Sequence, residues 1–231
     1  FGFQGKLSTN NDQRSASAPY SSINSTGSSA FPLLLDIFCP FSSNTCPSDS
    51  TSNGYTTVIG AHTGIGSVGI VEMGTAEQKR KYLPGMASGD IIGAFALTEP
   101  SAGSHAVALK TTAVRKGDKY ILNGSKHYIT NAPIAGLFTV MAVTDPSKGA
   151  KGITSFLVEK DFNGFIIGKT EEKMGLRGSH SSEIFFEDCE VPVENVLGQE
   201  GLGYVNALKI LANGRAGLAA RNLGSSQKLF E

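Results

Sequence analysis

Two short clusters of residues carry the chemistry legible in this sequence. The first is Thr98-Glu99-Pro100-Ser101-Ala102-Gly103-Ser104, and the second is Tyr128-Ile129-Thr130. Both lie within the stretch from Ile91 to Thr130, where an apolar run enters the first cluster and two β-segments lead to the second. Small residues let backbone approach a ligand closely, and hydroxyls supply directed hydrogen bonds to it.

The elements around these clusters read mainly as β. Residues 91 to about 196 contain repeated short strands. Leu109 to Arg115 and Lys119 to Asn123 alternate or are β-branched across a Lys116-Gly117-Asp118-Lys119 turn, which predicts a hairpin. Asn123-Gly124 is a second turn signal. Further strands are predicted at Leu137 to Thr144, Ile153 to Glu159 and Glu183 to Cys189. Strands of this spacing suggest an antiparallel barrel or sandwich.

Helices flank this region. Tyr55 to Met73 is apolar and rich in small residues. Thr75-Ala76-Glu77-Gln78 has the form of a capping box, with Gln78-Lys79-Arg80-Lys81-Tyr82 continuing the helix. Leu83-Pro84 is expected to end or restart it, and Gly89 to close it. From residue 200 to 231, Ala207, Leu208, Ile210, Leu211, Leu218 and Leu223 give a helical apolar face. Gly214 and Gly217 would allow close packing on it.

The first 54 residues differ in kind. From Ser8 to Asn53 the chain is dense in Ser, Thr, Asn and Pro, with no sustained period. Such composition seldom buries enough surface to offset ordering entropy, so disorder is expected there. Asn24-Ser25-Thr26 matches a glycosylation acceptor, but no secretion signal supports it. The chain starts at Phe1 rather than Met, and its last helical pattern reaches Glu231 without a cap. An incomplete chain is therefore expected.

Composition narrows the function classes. The 231 residues are 40% hydrophobic and 17% charged, which fits a globular protein with a sizeable core. A formal net charge of +0 points to neither nucleic acid nor an anionic membrane. Cys39, Cys46 and Cys189 are too scattered for a disulfide framework or zinc site, and imply unpaired thiols in a reducing compartment. His62, His105, His127 and His180 lack ligand spacing, and no metal is expected. Gly64-Ile65-Gly66-Ser67-Val68-Gly69 fits G-x-G-x-x-G, with Asp90 further on. However, a capped helix from Thr75 to Tyr82 stands where the second strand of a dinucleotide fold should run. Close helix packing is the better reading of these glycines, and a nicotinamide enzyme remains a minor alternative.

From Tyr55 to Glu231 the sequence resembles the acyl-CoA dehydrogenases. Gly60-Ala61-His62 through Leu83-Pro84 is similar to the end of that family's N-terminal helical domain. Phe95-Ala96-Leu97-Thr98-Glu99-Pro100-Ser101-Ala102-Gly103-Ser104 is similar to its first flavin signature, and Gly124-Ser125-Lys126-His127-Tyr128-Ile129-Thr130-Asn131 to its second. Glu172 to Arg177 and Phe185 to Gly198 resemble the end of the middle domain, and Gly214-Arg215 the opening of the C-terminal helices. Gly60 to Gly66 and Ile210 to Gly217 are most similar to long-chain and very-long-chain members.

The resemblance implies an α+β fold of four regions. Residues 1–54 are anomalous, 55–90 end an N-terminal helical domain, 91–198 form an antiparallel β-barrel middle domain, and 199–231 start a truncated C-terminal helical bundle. It also implies FAD as cofactor. Phe95, Leu97 and Thr98 would line the flavin ring edge. Ser104 would hold the pyrophosphate and lie near the acyl-CoA substrate. Tyr128 would pack on the ring, with Ile129 beside it, and Thr130 would bond the nitrogen that receives hydride. A flat ring with polar edges needs this mixture of aromatic surface and hydroxyls.

The implied activity is α,β-dehydrogenation of fatty acyl-CoA in β-oxidation, with electrons passing to electron-transfer flavoprotein. A homo-oligomer is implied, in the cytoplasm of a bacterium or the mitochondrial matrix of a eukaryote, and not secreted. Three departures stand out. His105 replaces the family's usual Asp. Residues 8 to 53 do not resemble its N-terminal helices. Gly214 occupies the place where some members carry the Glu base, so no catalytic residue is assigned and the base is expected in a missing C-terminal part. A non-catalytic flavin- or acyl-CoA-binding protein is the other reading.

Overall fold

The computed structural model describes residues 50–230. The expectations for residues 8 to 53, the Asn24 acceptor, Cys39 and Cys46 fall outside them, apart from the last few residues of the first segment.

Helix α1, Ser50–Ile59, continues without a break into a π-helical stretch, Gly60–Gly66. Helix α2 is Val68–Met73 and helix α3 is Ala76–Ser88. The capping box at α3 forms as predicted: Thr75 Oγ1 accepts from the Gln78 amide at 3.2 Å, and Gln78 Oε1 accepts from the Thr75 amide at 3.0 Å. Pro84 does not end this helix, which runs four residues further to a left-handed Gly89. Packing supplies the reason. Tyr82 and Met86 on either side of it are buried against the sheet, and that burial outweighs one missing backbone bond.

Seven strands form one sheet: β1 Gly93–Ala96, β2 Thr112–Lys116, β3 Lys119–Thr130, β4 Leu137–Val143, β5 Ile153–Glu159, β6 Phe165–Thr170 and β7 Ser181–Pro192. The order is β1-β4-β2-β3-β7-β6, with β5 also on β4. Most pairings are antiparallel, as turn-punctuated strands predict. Two pairings to β4 are parallel: β1, with Phe95 opposite Thr139, and β2, with Thr112 opposite Val143. The β2–β3 hairpin closes with Lys116 opposite Lys119. Asn123-Gly124, read as a turn, is instead a bulge inside β3. There the Asn123 side chain exchanges two hydrogen bonds with Asp188 across to β7, at 3.0 and 2.8 Å.

Helix α4, Gly203–Phe230, lies against this sheet. Ala207 and Ile210 are buried with Phe95, Leu109, Met141 and Ile153, so the predicted apolar face is real in its first turns. Further along, Leu218 and Leu223 stand exposed. The two glycines differ likewise: a Cβ on Gly214 would meet Ile65 at 2.8 Å, whereas Gly217 has open space.

Two ties hold the helices to the sheet. Glu159 on β5 takes hydrogen bonds from Lys81 and Tyr82, both at 2.8 Å. Burial pushes its carboxyl up, but these two bonds outweigh that and hold it below its ordinary value. The second tie is the His62 ring. Its Nδ1 accepts from the Gly93 amide at 3.0 Å, and its Nε2 lies 3.0 Å from the Met86 carbonyl. With Nδ1 accepting, the Nε2 side is left to donate to the Met86 carbonyl.

Gly66 sits where the π-helical stretch meets β1. A Cβ there would lie 2.9 Å from the Gly93 carbonyl carbon and oxygen and from the Ala61 oxygen, all backbone. Gly66→Ala is therefore expected to destabilise by about 1–3 kcal/mol, the usual cost of overpacking. Gly64→Ala is the control, since its Cβ meets nothing within 4 Å. Urea unfolding of both variants checks this. Equal stabilities would refute the close approach.

Candidate functional site

The loop after β1 is closed on itself. Glu99 and Ala102 exchange backbone bonds at 3.0 and 3.1 Å, which turns the chain sharply after Thr98. Gly103, Ser104 and Ala106 follow on the outside of this turn. Opposite them, β3 carries a second bulge between Lys126 and Ile129. At its centre Tyr128 adopts a left-handed backbone, φ 57°, which is unusual for an aromatic residue. The bulge turns the Tyr128 ring outward, 64% exposed, edge-on to the His127 ring at 3.8 Å. A bond from the His127 amide to the Thr98 carbonyl, 2.8 Å, holds loop and bulge side by side.

Between loop, bulge and α4 opens a cleft of about 400 Å³. All seven residues predicted for the site line it: Phe95, Leu97, Thr98, Ser104, Tyr128, Ile129 and Thr130. The volume is in the range of small-molecule sites. Thr98, Ser104 and Thr130 place three hydroxyls on its wall. Thr130 Oγ1 has only a 3.5 Å contact with Ser181 Oγ, and the Thr98 and Ser104 hydroxyls bond no other described residue. Spare hydroxyls, an outward aromatic ring and apolar side chains from Phe95 and Leu97 suit a flat heteroaromatic ring with polar edges.

The remaining wall was not predicted. Tyr204, Ala207, Leu208, Leu211 and Arg215 come from α4, and Ala61 and Ile65 from the π-helical stretch. The α4 residues recur at helical spacing, and of them the sequence marks Ala207, Leu208 and Leu211 as an apolar face. No Asp or Glu lines the cleft among the described residues.

Beneath the loop lies an ion pair that sequence reasoning also missed. Lys126 Nζ donates to Glu99 Oε1 at 2.8 Å; Lys126 is 0% and Glu99 4% exposed. Burial pushes the Lys126 ammonium down to about 8, against the upward pull of Glu99. Burial pushes Glu99 up, but Lys126 and the Thr111 and Lys110 amides hold it below its ordinary value. The available signal was a lysine at an inward position of β3.

His127 stands beside two carboxylates. Glu183 Oε1 is 2.6 Å from Nδ1, without the alignment a hydrogen bond needs, and Glu171 Oε1 is 3.6 Å from Nε2. His105 is exposed on the loop. Cys189 is a buried free thiol, pushed up to about 12 by burial and then by Glu190. Among the described residues no group of His, Cys, Asp or Glu could hold a metal, and no helix is long and apolar enough to cross a membrane. Gly64 to Gly69 lies in the π-helical stretch and α2, with a helix rather than a strand before it, so the dinucleotide alternative has no structural basis.

Comparison with known proteins matches two family models. The acyl-CoA dehydrogenase middle domain matches residues 94–189, and the acyl-CoA dehydrogenase N-terminal domain matches residues 49–90. A short-chain specific acyl-CoA dehydrogenase of Clostridium acetobutylicum is 50% identical over 173 residues, 75% of this chain and 46% of that protein. The human mitochondrial very long-chain specific acyl-CoA dehydrogenase is 49% identical over 179 residues, 74% of this chain and 27% of that protein. A solved acyl-CoA dehydrogenase of Bacillus anthracis, complexed with FAD, superposes with TM-score 0.73 at 42% identity, covering 78% of this chain and 31% of that one. The chain thus spans less than half the length of these relatives. Short-chain and very long-chain relatives are equally similar, so overall identity does not select the long-chain subgroup.

Proposed function

The chain belongs to the flavin-dependent acyl-CoA dehydrogenase family, and we propose that its cleft binds FAD and a fatty acyl-CoA for removal of hydrogens from the α and β carbons. The observation that carries this is the convergence of Thr98, Ser104, Tyr128 and Thr130 from two separate chain segments on one cleft. Bound flavin would supply the redox chemistry by accepting hydride from the β carbon.

This chain's share is binding and orientation. The Tyr128 ring offers a stacking surface, and the Thr98 and Thr130 hydroxyls address the ring's polar edge. Ser104, in the small-residue loop, gives a hydroxyl to the diphosphate or to the thioester end of the substrate. Phe95, Leu97, Leu208 and Leu211 exclude water from the ring. Removal of the α-proton requires a base within hydrogen-bond reach, the Glu that the family resemblance implies, and in this reading it lies outside the described residues. Electron-transfer flavoprotein is the proposed electron acceptor and fatty acid β-oxidation the proposed setting. One observation favours a second reading, a flavin- or acyl-CoA-binding protein without turnover: the cleft wall carries no carboxylate among the described residues.

Thr130→Val tests the flavin site. The change keeps shape and removes one hydroxyl, a bond worth roughly 0.5–1.5 kcal/mol net. FAD affinity, read by flavin fluorescence, is expected to fall by up to about tenfold while the melt of the FAD-free protein stays near wild type. Equal affinity would remove Thr130 from the ring's edge.

A further inference from the structure

The buried pair of Glu99 and Lys126 joins three pieces of chain that build the cleft. Glu99 stands at the entrance of the loop, one residue after Thr98. Its Oε2 accepts from the Lys110 amide at 2.7 Å and its Oε1 from the Thr111 amide at 3.0 Å, so one carboxylate ties the loop's entrance to its exit. Lys126 arrives from β3. It donates to the same carboxylate at 2.8 Å and to the Leu97 carbonyl at 3.3 Å. The next residue of β3, His127, bonds the Thr98 carbonyl, and the one after that is Tyr128 with its left-handed backbone.

Cohesion alone is a poor reason for such a pair. Removing two charges from water costs more than burying apolar side chains of similar volume, which would hold β1 and β3 together as well. Apolar side chains could not, however, accept the two loop amides or address the Leu97 carbonyl. Unbonded, the buried Thr111 amide would be costly and the loop would reorganise to satisfy it. The hydroxyls that the loop and β3 bring to the cleft wall depend on this junction: Thr98 precedes Glu99, Ser104 lies inside the tied loop, and Tyr128 and Thr130 follow Lys126 along β3.

We propose that Glu99 and Lys126 are positioning residues of the cleft: together they clamp the 98–111 loop against the β3 bulge and so fix Thr98, Ser104 and Tyr128 in register with one another. The part of this that concerns FAD rests on the flavin reading of the cleft. The clamp itself is a property of the chain without ligand.

The test is the double variant Glu99→Gln/Lys126→Met. It removes both charges at nearly constant shape, so neither charge is left buried alone. Hydrogen exchange of the FAD-free chain is measured first. Amides 101–111 are expected to exchange at least about tenfold faster than in wild type, with β4 (Leu137–Val143) unchanged. FAD titration follows. Affinity is expected to fall by about tenfold or more, and the bound-flavin absorption band to lose its fine structure even at saturation. Loop exchange and FAD affinity both within about twofold of wild type would overturn the clamp. Loss of protection throughout β4 as well would also overturn it, since the pair would then serve the core. If wild type takes up no FAD, the flavin reading fails while loop exchange still decides the clamp.

Discussion

Lys126→Met alone is expected to destabilise the chain by about 3–5 kcal/mol, the cost of breaking a buried ion pair from one side. The substitution removes the ammonium and leaves the Glu99 carboxylate 4% exposed with only two amides to hold its charge. A buried uncompensated charge is among the few single changes with so large an effect. Urea unfolding monitored by circular dichroism measures it. The double variant with Glu99→Gln should recover most of the loss, because no charge then remains. A loss under about 1 kcal/mol for the single variant would place the pair in the energetic class of exposed ion pairs, against its burial.

The second large effect is an absence of reaction. With FAD bound and oxygen excluded, addition of palmitoyl-CoA or butyryl-CoA to this 231-residue chain is expected to leave the long-wavelength flavin band unbleached. Proton abstraction needs a base at the substrate's α carbon, and the family resemblance implies a Glu. Glu99 is turned away from the cleft into the Lys126 pair, Glu183 faces His127, and Gly214 beside the cleft's Arg215 has no side chain. Bleaching that depends on substrate would show that the base is among these residues and that this assignment is wrong.

Much of the site was legible because its determinants are local. The capping box at Thr75, the Lys116–Lys119 hairpin and the small-residue loop each follow from residues a few positions apart. The features that sequence reasoning missed depend on distant partners. Pro84 continues a helix because Tyr82 and Met86 are buried against other elements. β6 was not anticipated because Phe165–Thr170 has neither clean alternation nor a continuous apolar run, and it is completed by pairing to β7. Asn123-Gly124 carries the same residues as a turn and becomes a bulge because β7 supplies Asp188 opposite. Tyr128 is the sharpest case. Nothing in its type predicts a left-handed backbone, yet that conformation turns its ring into the cleft.

Hydrogen exchange decides whether flavin lies, as proposed, between the 98–104 loop and the β3 bulge. Hydrogen exchange of the chain is compared with and without saturating FAD. Added protection is expected at the amides of Thr98 to Ser104 and of Tyr128 to Thr130, with none at β6 (Phe165–Thr170). FAD binding that leaves both segments unprotected, or that protects Gly64 to Gly69 in their place, would contradict it.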